Sequence, residues 1–293
     1  MRYTKFTTPH GRLNISVSGT PTADSATILL IHGNSSDSRI WHPLLSVSPL
    51  SKTHRIIIWD LPGHGESSDA PDPEMTYTMP GYAQAAVDVL KEVGPLQEGV
   101  EESYRAKNSW MHKLVVMGWS LGGHIAIELI PLLPTGLLKG IMIVGTPPAL
   151  GIEQTNRGFK MDVHMTAAAR DDLRDEEKVA FAKSVTGGPY EDWFLDAVRR
   201  TDPSARKIMW DAFNGGHGVD QCETVRRWKD GYVGVVNGKD EPFVNLEYLN
   251  TLEYGRLWEG KCIKVSGQHA PFWEHSDEFL LHLERFVKDC EEL

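Results

Sequence analysis

The sequence predicts an α/β fold in which a mostly parallel sheet has helices on both faces and carries a helical insert. Short, wholly apolar runs alternate with segments of helical periodicity through the first half of the chain. Strands of a parallel sheet are buried on both faces, so this alternation favours a parallel sheet over an antiparallel one. The alternation stops after residue 148 and resumes near residue 231, which indicates the insert.

The individual elements follow from the same patterns. Strand-period alternation or a short apolar run predicts strands at 12–18, 28–31, 56–59, 114–117, 141–144, 232–236 and 262–265. Apolar residues at helical spacing predict helices at 82–93, 123–130, 244–252 and 276–290. The polar stretch 96–110 is expected to be a surface loop. We therefore assign 1–148 and 231–293 to the core and 149–230 to a helical cap.

Length and composition fit an ordinary globular protein. The 293 residues, 41% hydrophobic and 24% charged, suffice for one large domain or a core with an inserted cap. The net charge of −10 argues against nucleic acid, anionic membrane surfaces and polyanionic substrates as partners. A small neutral molecule remains as the expected partner.

Cysteine usage and hydropathy favour the cytoplasm. Cys222, Cys262 and Cys290 show no C-x-x-C spacing, so we expect neither a disulfide framework nor a zinc motif. The first twenty residues lack the apolar core of a signal peptide, and no run approaches the ~20 apolar residues that span a bilayer. We therefore expect a cytoplasmic protein without a membrane anchor.

The motif Gly118-Trp119-Ser120-Leu121-Gly122 is the strongest functional signal. An apolar run precedes it and a helical pattern follows it, which is the strand–turn–helix context of a nucleophile elbow. The tight turn strains the serine backbone and lifts Oγ above the sheet edge, where side chains at positions 118 and 122 would collide. Ser120 is therefore predicted to be a nucleophile.

A serine nucleophile needs a general base, and the base needs an orienting group. Among twelve histidines, His269 is the candidate because it lies in a turn just beyond the last predicted strand, at the edge where Ser120 should emerge. Asp240 and Glu241 both follow the preceding strand. Adjacent side chains on extended backbone point in opposite directions, so only one of these carboxylates should face His269.

The oxyanion of an acyl-transfer intermediate needs preorganised N–H donors. Leu121 offers one at the start of the helix after Ser120, where the helix dipole also favours negative charge. The amide of Asn34, beside Gly33 in the loop after strand 28–31, is the second candidate. The loop 60–67 is interpreted as structural, with Asp60 bonding the loop.

Metal chemistry has no support in the sequence. The chain contains no H-x-H-x-D-H run, no H-E-x-x-H motif and no paired cysteines. We therefore expect neither a metal nor another cofactor.

Several segments together carry a more specific similarity. They are 118–125 (GWSLGGHI), 145–148 (GTPP), 235–238 (VVNG), 240–244 (DEPFV), 257–261 (LWEGK) and 269–272 (HAPF), with 200–202 (RTD), 205–206 (AR) and 208–209 (IM) in the cap. With these segments the chain resembles the metal-independent N-acyl-homoserine lactone hydrolases of the α/β-hydrolase superfamily over nearly its whole length.

That resemblance implies an eight-stranded α/β-hydrolase sheet and a quorum-quenching lactonase. It implies Ser120, Glu241 and His269 as the catalytic triad, with Asn34 and Leu121 as oxyanion donors. Many relatives place the acid three residues after the glycine that ends its strand, here at position 238, which favours Glu241 over Asp240.

Three features depart from the family. Gln268 stands before the histidine where glycine is usual, and the stretch 96–110 is longer than in the bacterial relatives. Phe181 stands where a tyrosine is expected, so we expect a polar substrate contact to be absent. This last departure bears on the preference for a lactone more than on the chemistry.

The cap is rich in large apolar residues for its length, namely Phe159, Met161, Met165, Phe181, Trp193, Phe194, Trp210 and Phe213. Most of them are expected to pack the cap onto the core, and a few to line a pocket for an apolar group. Trp119, Phe181 and Trp210 are the candidates for substrate contact.

The sequence thus predicts a serine hydrolase that opens a neutral lactone or carboxylic ester with an apolar acyl arm, with N-acyl-homoserine lactone as the leading substrate. A general carboxylesterase or a carbon–carbon bond hydrolase of the same fold is one alternative. A ligand receptor of this fold without turnover is another. Epoxide hydrolysis and dehalogenation are disfavoured because those reactions use a carboxylate nucleophile.

Overall fold

The computed structural model describes residues 2–160 and 163–293. Within these ranges the chain forms eight strands: β1 (Tyr3–Thr8), β2 (Gly11–Ser18), β3 (Thr27–Ile31), β4 (Arg55–Trp59), β5 (Leu114–Trp119), β6 (Leu138–Val144), β7 (Tyr232–Gly238) and β8 (Ile263–Val265). The same ranges contain fifteen α-helices: α1 (His42–Val47), α2 (Leu50–Thr53), α3 (Pro73–Thr76), α4 (Met79–Val93), α5 (Glu102–Ala106), α6 (Leu121–Glu128), α7 (Gly151–Gly158), α8 (Val163–Ala167), α9 (Asp175–Ser184), α10 (Asp192–Arg200), α11 (Pro203–Asn214), α12 (Gln221–Arg227), α13 (Leu246–Thr251), α14 (Pro271–Glu274) and α15 (Ser276–Glu291).

All eight strands belong to one sheet in the order β1-β2-β4-β3-β5-β6-β7-β8. β2 pairs antiparallel with β1 and β4, and the remaining neighbours are parallel. The strand order reverses between β3 and β5, and in open α/β sheets the carboxyl ends at such a switch point form a ligand crevice. The predicted α/β-hydrolase architecture is confirmed.

Both faces of the sheet are buried. In β3, Leu29 and Ile31 enter the core on one face, and Ile28 and Leu30 enter the core on the other. Helices α4 and α6 pack on the first face, and α1 and α15 pack on the second. Every residue of β3 and β5 is buried, which explains why these strands are apolar throughout.

Several elements differ from the sequence-based expectation, among them β1 and α5. The sequence patterns did not predict β1, whose residues are half-buried or exposed at the edge of the sheet and include few apolar side chains. The stretch 96–110, predicted to be a loop, contains the short helix α5, which has no buried residue. Without packing on the core, neither segment carries a strong hydrophobic pattern.

The segment between β6 and β7 contains helices α7–α12 and is hydrogen-bonded to the loop after β3. Asn34 Nδ2 donates to the carbonyl of Ala168 at 2.8 Å. Arg206, only 1% exposed, donates to Ser35 Oγ at 3.3 Å and to the carbonyl of Arg170 at 2.9 Å. We continue to treat residues 149–230 as the cap.

Two further observations concern the described ranges as a whole. None of their helices combines the length and the apolar character needed to cross a bilayer. All three cysteines are free, as their spacing predicts.

Candidate active site

Ser120 lies in the turn between β5 and α6 with φ 53° and ψ −117°. Such a conformation costs a non-glycine residue about 1–3 kcal/mol and persists only where its surroundings hold it. Here the Ser120 N–H donates to Val144 at 2.8 Å, and the Ser120 carbonyl accepts from Gly123 N–H at 2.9 Å and from Thr146 Oγ1 at 2.8 Å. The predicted backbone strain at Ser120 is confirmed.

The glycines on either side of Ser120 are required sterically. A Cβ at position 118 would lie 2.1 Å from the carbonyl oxygen of Gly122, and one at position 122 would lie 2.1 Å from the carbonyl oxygen of Ile31. Both obstacles are backbone atoms, which cannot move aside as a flexible side chain can. The predicted collision at these two positions is confirmed.

His269 and Glu241 form a buried pair at the carboxyl ends of β7 and β8. His269 Nδ1 lies 2.9 Å from Glu241 Oε2 and 3.0 Å from Oε1, and both residues are 3% exposed. The carboxylate also accepts the backbone N–H of Phe243 at 2.8 Å. A carboxylate accepts hydrogen bonds, so Nδ1 is the donor and the other ring nitrogen is left to accept a proton.

Of the two candidate acids, Glu241 is the one that meets the histidine. Asp240 is exposed, and its backbone N–H donates to Gly267 at 3.1 Å. The two adjacent side chains therefore point to different environments, but the backbone here forms a turn rather than the extended segment expected from the sequence, since the Glu241 N–H donates to the Gly238 carbonyl at 3.3 Å.

The candidate oxyanion donors lie on neighbouring strand ends. Leu121 begins α6, and Asn34 follows β3, whose last residue pairs with Gly118. Within the described residues, neither backbone N–H donates to another group. The Asn34 side chain is engaged by Ala168 and by Ser35 Oγ at 3.1 Å, so the backbone N–H is its available donor.

A cavity of about 530 Å³, including its open mouth, adjoins these groups. Ser120 and His269 both line it, and the Ser120 hydroxyl forms no hydrogen bond, including none to the imidazole, in the part of the chain that the structure describes. The other polar side chains that line the cavity are Asn34, His124 and the indole of Trp210, and the rest of the lining is apolar. An apolar cavity with few polar groups is typical of a small-molecule site.

Most of the predicted contact residues line this cavity. Asn34, Leu121, Phe181 and Trp210 do so, together with the cap residues Phe159 and Met165. Trp119 does not: its indole is wholly buried, and Nε1 donates to the His269 carbonyl at 2.9 Å. Its position corrects the expectation of direct contact in this cavity and indicates support of the histidine loop.

The other large cap residues have different positions. Trp193 and Phe194 pack edge-on against Trp273, and Phe213 packs against His124. Met161 lies outside the described residues.

Sequence reasoning missed several cavity residues, among them His124, Met79, Met209 and Phe243. His124 carries a usable signal, because a polar residue one helical turn after a predicted nucleophile faces the same side of the helix. The other three are apolar residues in apolar surroundings, and nothing in the local pattern distinguishes them from core residues.

In the described ranges, no three His, Cys, Asp or Glu side chains converge closely enough to share a metal ion.

Glu128, near the end of α6, is a buried carboxyl with a measurable consequence. It is 3% exposed and accepts the backbone N–H of Val219 at 3.0 Å, and burial raises its pKa from 4.5 to about 7. A raised pKa means that its contribution to stability is complete below about pH 4.5 and is lost as the pH rises through about 7. A glutamine side chain stays neutral at every pH. We therefore expect the free energy of unfolding of Glu128→Gln to fall less than that of the wild type as the pH rises, by up to about 3 kcal/mol.

Urea unfolding of the wild type and the variant at about pH 5 and about pH 8 measures the effect of Glu128. The exposed Glu92 on α4 supplies the control, because Glu92→Gln should leave the pH dependence of the wild type unchanged. Equal pH dependence in the wild type and in Glu128→Gln would contradict the prediction.

Several known proteins that are similar to this chain are hydrolases. The family model described as the alpha/beta hydrolase family matches residues 28–280. The structure is similar to N-acyl homoserine lactonase AidH complexed with N-butanoyl homoserine, with 39% identity, a TM-score of 0.89, and coverage of 100% of this chain and 98% of that one. A glycine mutant of the same lactonase, complexed with N-hexanoyl homoserine lactone, matches with 38% identity, a TM-score of 0.88 and full coverage of both chains.

A more distant relative is named as an esterase rather than a lactonase. The pimeloyl-[acyl-carrier protein] methyl ester esterase of Aliivibrio salmonicida (strain LFI1238) is 23% identical over 275 residues, which cover 92% of this chain and 95% of the relative.

Proposed function

The chain belongs to the α/β hydrolase family, and we propose that this hydrolase opens the ring of N-acyl homoserine lactones through a serine nucleophile. The main support is the 39% identity to a lactonase of that specificity over the whole chain. The cavity adds to it, because Ser120 and His269 adjoin apolar walls that suit an acyl arm. Ring opening would inactivate such a lactone as a signal, which is the quorum-quenching role.

In this mechanism Ser120 Oγ attacks the ring carbonyl while His269 takes the hydroxyl proton. Glu241 holds the Nδ1–H and so keeps the accepting nitrogen of the ring directed at the reaction. The oxyanion accepts hydrogen bonds from the N–H groups of Leu121 and Asn34, each typically contributing about 3 kcal/mol to the transition state.

Collapse of the intermediate breaks the ring C–O bond, and His269 returns the proton to the departing alkoxide. Water, deprotonated by the same imidazole, then attacks the acyl-enzyme and releases the N-acyl homoserine. The leaving alcohol stays attached to the acyl group, so deacylation must be faster than ring closure. Every step uses side-chain and backbone groups of this chain and one water molecule.

Hydrolysis of an open-chain carboxylic ester is the second candidate, and the similarity to methyl ester esterases favours it. Lactones and esters pass through the same tetrahedral intermediate, so the same residues would serve both. The two proposals differ in the group that the cavity must hold beside the reacting carbonyl, which is a closed ring in a lactone and a separate alcohol part in an open-chain ester.

A substrate panel tests the proposal. Alkali uptake in a pH-stat gives kcat/KM for N-hexanoyl homoserine lactone, methyl hexanoate and p-nitrophenyl hexanoate, each with and without a chelator. We expect the lactone to be preferred to the methyl ester by about tenfold or more, without an effect of the chelator. A faster open-chain ester would favour the second candidate, loss on chelation would contradict a metal-free mechanism, and tight binding without turnover would indicate a receptor.

A further inference from the structure

His124 is a cavity-lining side chain that the proposed mechanism does not use. It lies on α6 four residues after Ser120, and its N–H reaches the Ser120 carbonyl at 3.4 Å. The backbones of the two residues are about one helical turn apart, ~5.4 Å along the axis, and both side chains line the same cavity. It is 3% exposed and packs against Phe213 with 4.8 Å between ring centroids.

A hydrogen bond to Gln221 determines which nitrogen of His124 carries the proton. His124 Nδ1 lies 2.7 Å from Gln221 Oε1, which also accepts the backbone N–H of Ala149 at 3.4 Å. An atom that accepts from a backbone N–H is an oxygen, so Nδ1 must donate to it. Nε2 then carries a lone pair, and because burial lowers the pKa of His124 to about 4, the ring stays neutral at neutral pH.

Nε2 of His124 has no protein partner within the described residues. The other polar lining groups differ in this respect: the Asn34 side chain is bonded to Ala168 and Ser35, and Trp210 can only donate. Ser120 and His269 serve the reaction. A donor on a ligand bound in the cavity would therefore find an available acceptor at His124 Nε2.

We propose that His124 Nε2 accepts a hydrogen bond from a substrate N–H located two or three bonds from the reacting carbonyl, so that the site selects lactones and esters bearing a secondary amide. The inference rests on the proposed function. In an N-acyl homoserine lactone the amide nitrogen is attached to the ring carbon next to the carbonyl that Ser120 would attack. Ser120 and His124 line the same cavity, so such a substrate would place its carbonyl at Ser120 and its N–H at His124 Nε2.

The experiment compares two lactones that differ in one group. N-Hexanoyl homoserine lactone carries the N–H, and α-hexanoyloxy-γ-butyrolactone carries an ester oxygen in its place, which would set a lone pair against that of Nε2. We expect wild-type kcat/KM to favour the amide by about 10- to 100-fold after division by the ratio of the uncatalysed rates. In His124→Phe the corrected ratio should fall to near one, and in His124→Gln, which retains an acceptor oxygen, it should stay above that of His124→Phe.

Both substrates are measured on the same preparation, so a reduced fraction of folded enzyme cancels in the ratio. A corrected wild-type ratio near one overturns the role of His124 and leaves the lactonase proposal standing. The same holds if His124→Phe keeps the wild-type ratio. If the wild type opens neither lactone, the proposed function fails and this inference fails with it.

Discussion

Replacing Ser120 with alanine should lower kcat for lactone opening by about 10⁴- to 10⁶-fold, because no other group can form the acyl-enzyme. Alanine keeps the Cβ, so the backbone at φ 53° carries the same steric strain in the variant as in the wild type. The hydroxyl bonds to no described residue, so its loss should leave the fold intact. A pH-stat measures the rate, and titration calorimetry with N-hexanoyl homoserine lactone measures binding.

Binding of the lactone to Ser120→Ala is the control for this experiment. Binding near the wild-type affinity with turnover abolished would place the loss in the chemistry rather than in the fold. Turnover that survives in a purified, folded Ser120→Ala protein would end the serine mechanism.

The adjacent carboxylates Glu241 and Asp240 should respond very differently to the same amide substitution. In Glu241→Gln we expect kcat to fall by about 10⁴-fold. The amide oxygen would take the place of Oε1, which accepts the N–H groups of Phe243 and Val244, and so turn the NH₂ toward His269. Nδ1 would then have to accept, and the ring proton would move to the nitrogen that should act as the base.

Asp240→Asn is the matched control, since Asp240 is exposed and does not contact His269. Its kcat should stay within about twofold of the wild type, as is usual for a surface change away from the site. The two variants share the mutation type and adjoining positions, so pH-stat rates separate the role of Glu241 from a general effect on the loop. Equal losses in both, or a larger loss in Asp240→Asn, would contradict the assignment of Glu241.

The central strands were predictable and the edge strand β1 was not, for one physical reason. β3 and β5 are buried on both faces and must be apolar throughout, so composition alone reveals them. β1 lies at an edge and has no wholly buried residue, so burial does not require apolar and polar residues to alternate along it. Helix α5 likewise buries nothing and leaves only a polar, charged stretch in the sequence.

At the site, backbone constraints were easier to predict than side-chain directions. The elbow around Ser120 follows from local sterics, which a short motif records. Whether Glu241 or Asp240 faces His269 depends on how the loop after β7 leaves the sheet, which adjacent residues cannot reveal. The inward turn of Glu241 is accompanied by bonds to the N–H groups of Phe243 and Val244.

In the cap, too, the sequence shows which residues are large and apolar but not where each side chain points. Phe181 and Trp210 line the cavity, whereas Trp193 packs on Trp273, although all are large apolar residues on helices. Only the orientation of each helix on the core distinguishes them. Trp119 shows the converse case, in which a residue next to the nucleophile in sequence points into the core.

The bonds from Asn34 to Ala168 and from Arg206 to Ser35 have a consequence for engineering. They join the helical insert to the loop whose N–H is the candidate oxyanion donor. Grafting a foreign insert onto this scaffold to accept a bulkier acyl group would therefore remove two hydrogen bonds that hold that loop. We therefore expect such a graft to lower kcat as well as to change which acyl groups are accepted.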